Sequence, residues 1–284
     1  MTRRDLLTDA RDRLAAAAVE DPRRTAEWIV EDATGLSRAA LVSRPDESVP
    51  PDAVAFVEQA IRRRAEGEPV QYVLGWAAFY GLRVEVTSDV LIPRPETETV
   101  VEHALRRIRN VETPWVLDVG TGSGAVALAV AHERPEAEVF AVDVSPAALA
   151  VAAANSDRLG LGVTFVEADA LRPAFAEDVP PSFDLIISNP PYVPEAERSE
   201  LQREVRDHEP GTALFVPNTD PLLFYRALAG HAERLLRSGG WLVAETHEDF
   251  GRAVADLWTE AGLVDAEILP DLAGRDRVAV ARSG

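Results

Sequence analysis

The sequence predicts an α/β fold: a mostly parallel sheet with an antiparallel terminal hairpin, preceded by a small N-terminal helical bundle. From Trp115 onward, short apolar runs alternate with amphipathic stretches, which is typical of βαβ units and a parallel sheet. The two final β-branched runs, "VDAEILP" and "RVAVARS", are separated by a short turn, which indicates a hairpin on a mixed sheet. The stretch before Gly67 carries helix start and stop signals instead.

These helix signals are specific. Thr2 and Asp5 form a potential capping box ahead of an apolar i, i+3, i+7 stripe. Asp21-Pro22 is an N-cap followed by proline at the first helical position, and Gly35 is a stop signal. A third helix begins after Pro50, and we expect the arginines at 62–64 to form its solvated end.

The character of the sequence changes after Gly67, where "EPVQYVLGWAAFYGLRVEVTSDVLIPRPETE" is aromatic, turn-rich and β-branched, as in a hairpin. We therefore divide the chain into a helical domain over 1–75, a β-hairpin linker over 76–94 and an α/β domain over 95–284. Within the last part, "PLLFYRALAGHAERLLRSGG" is predicted as one helix and "WLVAET" as the strand that follows it.

Composition excludes several classes of protein. No apolar run approaches the roughly 20 residues of a membrane span, and the N-terminus lacks the apolar segment of a signal peptide. The absence of cysteine excludes disulfides, thiol nucleophiles and cysteine zinc sites, and the 5 histidines show no metal-ligand spacing. We expect a soluble, cytoplasmic monomer with no metal site and no membrane partner.

The charge argues against a nucleic-acid partner. The chain has 48 acidic residues against 29 basic ones, all of them arginine, for a net charge of −19. Sequence-independent affinity for DNA or RNA depends on cationic groups that displace phosphate counterions. We expect no direct nucleic-acid binding. We interpret the charge as an adaptation for solubility or for a salty cytoplasm in preference to an acidic docking surface.

The segment "LDVGTGSGA" ends the first strand of the alternating region, with Gly120, Gly122 and Gly124 in five positions. Glycines there let the backbone turn sharply and approach a ligand, and the following helix offers unpaired N–H groups. Asp143, at the tip of the second strand, is placed to accept hydrogen bonds from a ribose diol. The same spacing, with Ala125, also fits a dinucleotide fingerprint, so an NAD enzyme stays open on this motif alone.

The strand "FDLIIS" ends in Asn189-Pro190-Pro191-Tyr192. Consecutive prolines form a rigid loop with outward-directed carbonyls. The side-chain oxygen of Asn189 and the carbonyl of Pro190 could together accept both hydrogens of an NH2 group, and Tyr192 offers a flat face to a planar substrate. The tetrapeptide is therefore suited to an amide or an exocyclic amine.

Four segments, "DVGTGSGA", "VDVSPAAL", "FDLIISNPPY" and "GLRVEVTSDVLIPRPETE", resemble the HemK/PrmC family. These are protein-glutamine methyltransferases that modify class I peptide chain release factors. The likeness covers nearly the whole chain, including "EPVQYVLGWAAFYG". Adenine amino-methyltransferases share the Asn-Pro-Pro-Tyr tetrapeptide, whereas the linker motif favours the protein-glutamine interpretation.

The resemblance implies a Rossmann-like class I methyltransferase sheet and transfer of a methyl group from S-adenosyl-L-methionine to the glutamine of a Gly-Gly-Gln motif. It further implies that the helical domain recognises the release factor and that Asn189, Pro190, Pro191 and Tyr192 bind the glutamine amide. Residues 120–124 would hold the methionine part of the cofactor, Asp143 the ribose, and Asp169 with Ala170 the adenine. The implied cofactor residues are Gly120, Thr121, Gly122, Ser123, Gly124, Asp143, Asp169, Ala170 and Asn189.

Two alternatives remain at this point. The first is an adenine N6 amino-methyltransferase acting on nucleic acid, against which the net charge of −19 weighs. The second is a catalytically silent module that binds the cofactor and docks a partner. A binding-only protein has no need of the intact Asn-Pro-Pro-Tyr, which favours an enzyme.

Overall fold

The computed structural model describes all 284 residues. They form two compact units: a helical unit of residues 1–76 with 202–208, and a sheet unit of residues 77–201 with 209–284. The helices are α1 (Arg3–Ala16), α2 (Pro22–Thr34), α3 (Arg38–Ser43), α4 (Pro51–Ala65), α5 (Val70–Leu74), α6 (Pro95–Ile108), α7 (Ala125–Glu133), α8 (Pro146–Leu159), α9 (Arg203–His208), α10 (Leu223–Leu235) and α11 (Gly251–Glu260). The strands are β1 (Trp76–Phe79), β2 (Leu82–Glu85), β3 (Trp115–Val119), β4 (Glu138–Asp143), β5 (Val163–Glu167), β6 (Phe183–Ser188), β7 (Val193–Pro194), β8 (Phe215–Val216), β9 (Leu236–Glu245), β10 (Val264–Pro270) and β11 (Asp276–Arg282). None of the helices has the length and apolar character needed to cross a membrane.

In the helical unit, the predicted caps are present. The Thr2 hydroxyl accepts from the Asp5 amide and the Asp5 carboxylate accepts from the Thr2 amide, which completes a capping box on α1. The Asp21 carboxylate caps α2, and Gly35 ends it in the left-handed region at φ 66°. Apolar side chains from α1, α2, α3, α4 and α5 pack into one core, so burial of one face of each helix holds the unit together.

The arginines at the end of α4 differ from the prediction of a solvated helix end. Arg64 is buried: its guanidinium donates to the Glu68 carbonyl at 3.1 Å and pairs with Glu204 of α9 at 2.6 Å. Arg63 binds the Glu68 carboxylate and donates to the carbonyl oxygen of Tyr72. The two side chains therefore organise the turn after α4, because a buried guanidinium needs hydrogen-bond partners in the protein.

The sheet unit is built on a seven-stranded sheet in the order β10-β11-β9-β6-β3-β4-β5. The pairs β3/β4, β3/β6, β4/β5 and β6/β9 are parallel, whereas β11 pairs antiparallel with both β9 and β10. The predicted antiparallel terminal hairpin is therefore confirmed. The chain order reverses at β3, which has β4 on one side and β6 on the other, and this creates a topological switch point.

Helices cover both faces of the sheet, and side chains on both sides of the central strands are therefore mostly apolar. Val116 and Leu117, consecutive in β3, are both fully buried but belong to different core clusters. The cluster of Val116 includes residues of α6 and α7, and the cluster of Leu117 includes residues of α10 and α11. This burial fixes the register of β3 and thus the position of the loop that follows it.

The boundary between α10 and β9 differs from the prediction, which placed a helix up to Gly240. The helix ends at Leu235, and the strand begins at Leu236, opposite Phe183 of β6. Hydrogen-bonding partners on the neighbouring strands outweigh the helical preference of this stretch, since the Gly239 amide donates to the Ser283 carbonyl at 3.0 Å. An irregular register between Phe183 and Leu185 accommodates the extra residues.

Candidate active site

The site lies at the carboxyl edge of the sheet, on either side of the switch point. Gly120 follows β3, Asp143 ends β4 and Asn189 follows β6. Because β4, β3 and β6 are parallel neighbours, these three residues meet at one edge although they are distant in sequence. A cavity of about 130 Å³ opens there and is lined by each of them.

Two glycines of the loop after β3 keep this cavity open. Gly120 and Gly122 have φ of 75° and 55°, and a Cβ added to either would meet no atom within 4 Å. The amides of Gly120 and Thr121 both donate to the Val142 carbonyl at 2.9 Å, which ties the loop to β4. The backbone is thus held in a conformation that favours glycine and leaves space for a ligand against it.

Gly124 has a different environment. It is the N-cap of α7, with φ 83°, and an added Cβ would lie 3.1 Å from the Ala152 Cβ and 3.2 Å from a Leu128 methyl. It lines neither cavity of the site. The absence of a side chain at 124 therefore permits α7 and α8 to approach closely.

Asp143 organises the loop as well as the cavity. One carboxylate oxygen accepts from the Gly122 amide and the other accepts from the Ser145 amide, both at 2.9 Å. Each oxygen keeps a second lone pair for a further donor. Asp143 thus fixes the loop after β3 and can still accept hydrogen bonds from a hydroxyl-bearing ligand in the cavity.

The segment after β5 closes the same cavity with Asp169 and Ala170. The Asp169 carboxylate accepts from the Leu171 amide at 2.9 Å, and His231 of α10 contacts the Ala170 carbonyl through Nε2 at 2.8 Å. Burial lowers the pKa of His231, so its neutral imidazole is favoured at this position. These contacts fix the backbone on which the cavity wall depends.

A second, smaller cavity of about 50 Å³ is lined by Thr97, Asp118, Thr121, Ser123 and Asn189. Asp118 is a fully buried carboxyl whose Oδ2 accepts from the Thr121 hydroxyl at 2.6 Å and from the Ala127 amide at 3.2 Å. Burial raises the pKa of Asp118 to about 7, although these two hydrogen bonds oppose the rise. Gly120, Gly122 and Asn189 line both cavities.

A hydrogen-bond network joins Asn189 to Tyr192. Asn189 Nδ2 donates to the Thr97 hydroxyl at 3.2 Å, and that hydroxyl donates to Glu245 Oε2 at 2.6 Å. The Tyr192 hydroxyl donates to the other oxygen, Glu245 Oε1, at 2.9 Å. Glu245 is buried, which raises the pKa of its carboxyl. Burial and the neighbouring Glu245 carboxylate also raise the pKa of Tyr192 well above its ordinary value.

The structure thus places the predicted residues unevenly. Gly120, Gly122, Asp143, Asp169, Ala170, Asn189, Pro190 and Pro191 line the larger cavity, and Thr121 and Ser123 line the smaller one. Tyr192 lines neither and packs against the core with its hydroxyl on Glu245. Its role as a flat substrate platform stays a prediction.

Sequence reasoning gave no role to Val144, Leu228, Thr97 and Glu245. Val144 is 59% exposed although apolar, and lines the larger cavity together with Leu228. Val144 gave no distinguishing signal in the sequence, because single exposed apolar residues are common on protein surfaces. Thr97 and Glu245 gave no local signal of a contact, because the partner of each is far away in the sequence.

Solved structures of methyltransferases share the fold of this chain. A methyltransferase from Pyrococcus furiosus matches with a TM-score of 0.53 at 18% identity, over 73% of this chain and 91% of that chain. The methyltransferase domain of METTL16, lacking its N-terminus, matches with a TM-score of 0.54 at 16% identity, over 72% of this chain and 89% of that chain. At these identities the likeness shows the fold alone.

Two family profiles match the chain. The profile of the PrmC N-terminal domain matches residues 5–75, and the profile of a methyltransferase domain matches residues 116–208. The fold and the glycine loop define a methyltransferase with an added helical region. Release factor glutamine methyltransferases from three bacteria match nearly end to end. The one from Moorella thermoacetica is 45% identical over 98% of this chain and 97% of its own length. Those from Geobacter sulfurreducens and Deinococcus radiodurans are 40% and 42% identical, over 100% and 99% of this chain and 97% and 99% of their own lengths. The chain belongs to the release factor glutamine methyltransferase family.

Proposed function

We propose that this protein transfers a methyl group from S-adenosyl-L-methionine to the side-chain amide nitrogen of the glutamine in the Gly-Gly-Gln motif of class I release factors. The observation that carries this is the position of Asn189 and Pro190 beside the glycine loop at the carboxyl edge of the sheet. Family membership supports the choice of substrate.

The residues of the larger cavity fit S-adenosyl-L-methionine. Gly120 and Gly122 leave open space against the backbone, Asp143 has acceptor capacity for a ribose diol, and Val144 and Leu228 offer apolar surface to a planar base. Asp169 and Ala170 border the same space. When bound, this cofactor supplies an electrophilic methyl group on a positively charged sulfur.

Binding of the glutamine amide uses the acceptors at the end of β6. With Asn189 Nδ2 held by Thr97, Asn189 Oδ1 is the free acceptor of this side chain, and the carbonyl of Pro190 is a second one. Two acceptors hold both hydrogens of the NH2 group and orient its lone pair. An amide nitrogen is a poor nucleophile because its lone pair is delocalised, so orientation and stabilisation of the developing charge supply the catalysis.

The helical unit is our candidate for recognition of the release factor body. It has its own core, and the PrmC N-terminal domain profile matches residues 5–75 within it. The adenine alternative lacks such support, since the relatives named here are release factor glutamine methyltransferases and the chain carries a net charge of −19.

The direct test is mass spectrometry of a class I release factor incubated with the enzyme and labelled cofactor. We expect one methyl group on the peptide that contains Gly-Gly-Gln, and none on a release factor whose motif glutamine is replaced by asparagine. Enzyme carrying Asn189→Ala is the matched control. Methylation of an adenine-containing oligonucleotide with an unmodified release factor would instead favour the adenine reaction.

A further inference from the structure

A single buried carboxylate holds both ends of the Asn-Pro-Pro-Tyr loop. Glu245 Oε1 accepts from the Tyr192 hydroxyl at 2.9 Å, and Oε2 accepts from the Thr97 hydroxyl at 2.6 Å. Thr97 in turn accepts from Asn189 at 3.2 Å. Glu245 and Thr97 are 1% and 3% exposed, so these hydrogen bonds have no competition from bulk water.

The topology explains why Glu245 lies there. Strands β6 and β9 are parallel neighbours in which Ser188 lies opposite Ala244. The next residue along each strand is therefore Asn189 on one and Glu245 on the other, at the same edge of the sheet. Thr97 enters from the first turn of α6, where Pro95 occupies one of the first helical positions and fixes the start of the helix.

We propose that Glu245 and Thr97 are positioning residues of the methyl-transfer site, which orient the Asn189 amide so that its oxygen, and not its nitrogen, faces the substrate. This inference rests on the proposed function, and it assigns a role to two residues that bind neither the cofactor nor the glutamine.

The direction of each hydrogen bond follows from counting protons. An ionised carboxylate only accepts, and a threonine hydroxyl has a single proton to donate. Because that proton goes to Glu245, the Thr97 oxygen can only accept from Asn189. The side-chain nitrogen must therefore face Thr97, which leaves Oδ1 for the substrate. Burial raises the pKa of the Glu245 carboxyl, and this is opposed by the hydrogen bonds from Thr97 and Tyr192 and by the guanidinium of Arg277, 4.0 Å from Glu245 Oε1. The order of donors and acceptors described here is that of the ionised carboxylate, which these three groups favour.

The two ends of the Asn189 amide have nearly the same shape. Without this chain of donors and acceptors, either end could therefore face the cavity. An amide turned the wrong way would present a donor to the NH2 group of the substrate. The network thus selects one of two orientations of the amide.

The test uses two substitutions of Thr97 in the full-length enzyme with a release factor as substrate. Thr97→Val keeps the shape and removes the hydroxyl, whereas Thr97→Ser keeps the hydroxyl. Displacement of a reacting group by about 1 Å costs about 10²-fold, so we expect Thr97→Val to lower kcat by tenfold to a hundredfold. Cofactor Kd should stay within about threefold, and Thr97→Ser should retain most of kcat. Equal loss of kcat in the two variants would overturn the proposal.

A double-mutant cycle separates positioning from a general structural effect. If Thr97 acts through Asn189, Thr97→Val should have no further effect on kcat in an Asn189→Ala background. Ser156→Ala, which removes a buried hydroxyl of α8 that lines neither cavity, is the control and should leave kcat unchanged. A Thr97→Val effect of the same size in both backgrounds would show that Thr97 does not act through the amide.

Failure of the inference is distinguishable from failure of the proposed function. Absence of methylation by the wild-type enzyme would reject the function, whereas normal kcat for Thr97→Val would reject only the positioning role. The side-chain NH2 resonances of Asn189, which NMR can observe without turnover, provide the second measurement. Thr97→Val should shift them and Thr97→Ser should not; unshifted resonances in Thr97→Val would also overturn the proposal.

Discussion

Arg94 and Glu209, 115 residues apart in the chain, form an ion pair beside the candidate active site. The second carboxylate oxygen of Glu209 accepts from the Ile92 amide at 3.1 Å. This buried side chain thereby holds the segment 90–94, whose Leu91 lines both cavities. The aromatic and proline-rich linker motif is thus part of the wall of the site.

Glu209→Gln should destabilise the protein and weaken cofactor binding together. The amide that replaces the carboxylate keeps one acceptor but loses the charge, and hydrogen bonds to a charged group contribute about 1.5 to 3 kcal/mol. Urea unfolding and calorimetric titration with the cofactor measure the two effects. Glu102→Gln, which removes an exposed pair with Arg106, is the matched control and should change neither.

Asn189→Ala should lower methyl transfer by about 10² to 10³, because it removes a preorganised polar contact to the reacting group. Asn189→Asp should be as poor as Ala. Its oxygen would face Thr97, whose only proton already lies toward Glu245, so two acceptors would meet. Single-turnover assays with cofactor affinity measured in parallel check this; clearly higher transfer by Asp than by Ala would show that the amide N–H is dispensable.

Asp143→Ala should lower cofactor affinity at least about tenfold. The substitution removes charged acceptors for the ribose and also releases the Gly122 and Ser145 amides, so the loop after β3 loses a tether. Calorimetry measures the affinity. Asp143→Asn, which can accept from only one of the two amides, should fall between Ala and wild type, and an affinity unchanged in both variants would place the ribose elsewhere.

Asp118→Asn should change how stability depends on pH. Burial raises the pKa of Asp118 from 3.8 to about 7, so between these values the folded protein binds a proton that the unfolded chain releases. This contribution to stability is fully present below the unfolded pKa and is lost as pH rises toward 7. The stability of wild type relative to Asp118→Asn should therefore fall across that window and level off above it. Urea unfolding of both proteins at several pH values tests this, and parallel profiles would contradict it.

Gly124→Ala should destabilise the protein more than Gly160→Ala. Both glycines have positive φ, 83° and 66°, so an alanine at either is strained by about 1 to 2 kcal/mol. Only at 124 would the new Cβ also press on Ala152, which adds about 1 to 3 kcal/mol of overpacking. Equal losses in urea unfolding would indicate that α7 and α8 can separate at no cost.

Much of the fold follows from local signals, because helix caps, turns and strand patterns involve residues within a few positions of one another. The Thr2 capping box and the Gly35 stop are of this kind. The meeting of Gly120, Asp143 and Asn189 also follows from sequence, since parallel strands bring their carboxyl ends to one edge. The division of the chain at 75 and 94 into three parts stays a prediction.

The features of the fold and the site that the sequence did not predict depend on contacts that no local pattern encodes. Thr97 contacts Asn189 and Glu245, which are 92 and 148 residues away. Likewise, a run of arginines at a helix end indicates a solvated surface unless a distant carboxylate, here Glu204, covers it. The start of β9 at Leu236 is a further case, since a neighbouring strand decides it. Contacts with distant residues thus decide all three features, and at the α4 arginines and the start of β9 they override the local preference.

The pairing of Arg64 with Glu204 within the helical unit affects how the protein can be divided. Residues 202–208 belong to that unit although the chain reaches them only after β7. A chimera between two relatives must therefore exchange this segment along with the first 76 residues, or a buried guanidinium will lack its counter-ion. Residues 1–76 and 202–208 thus form one structural module that is encoded at two separate places in the gene.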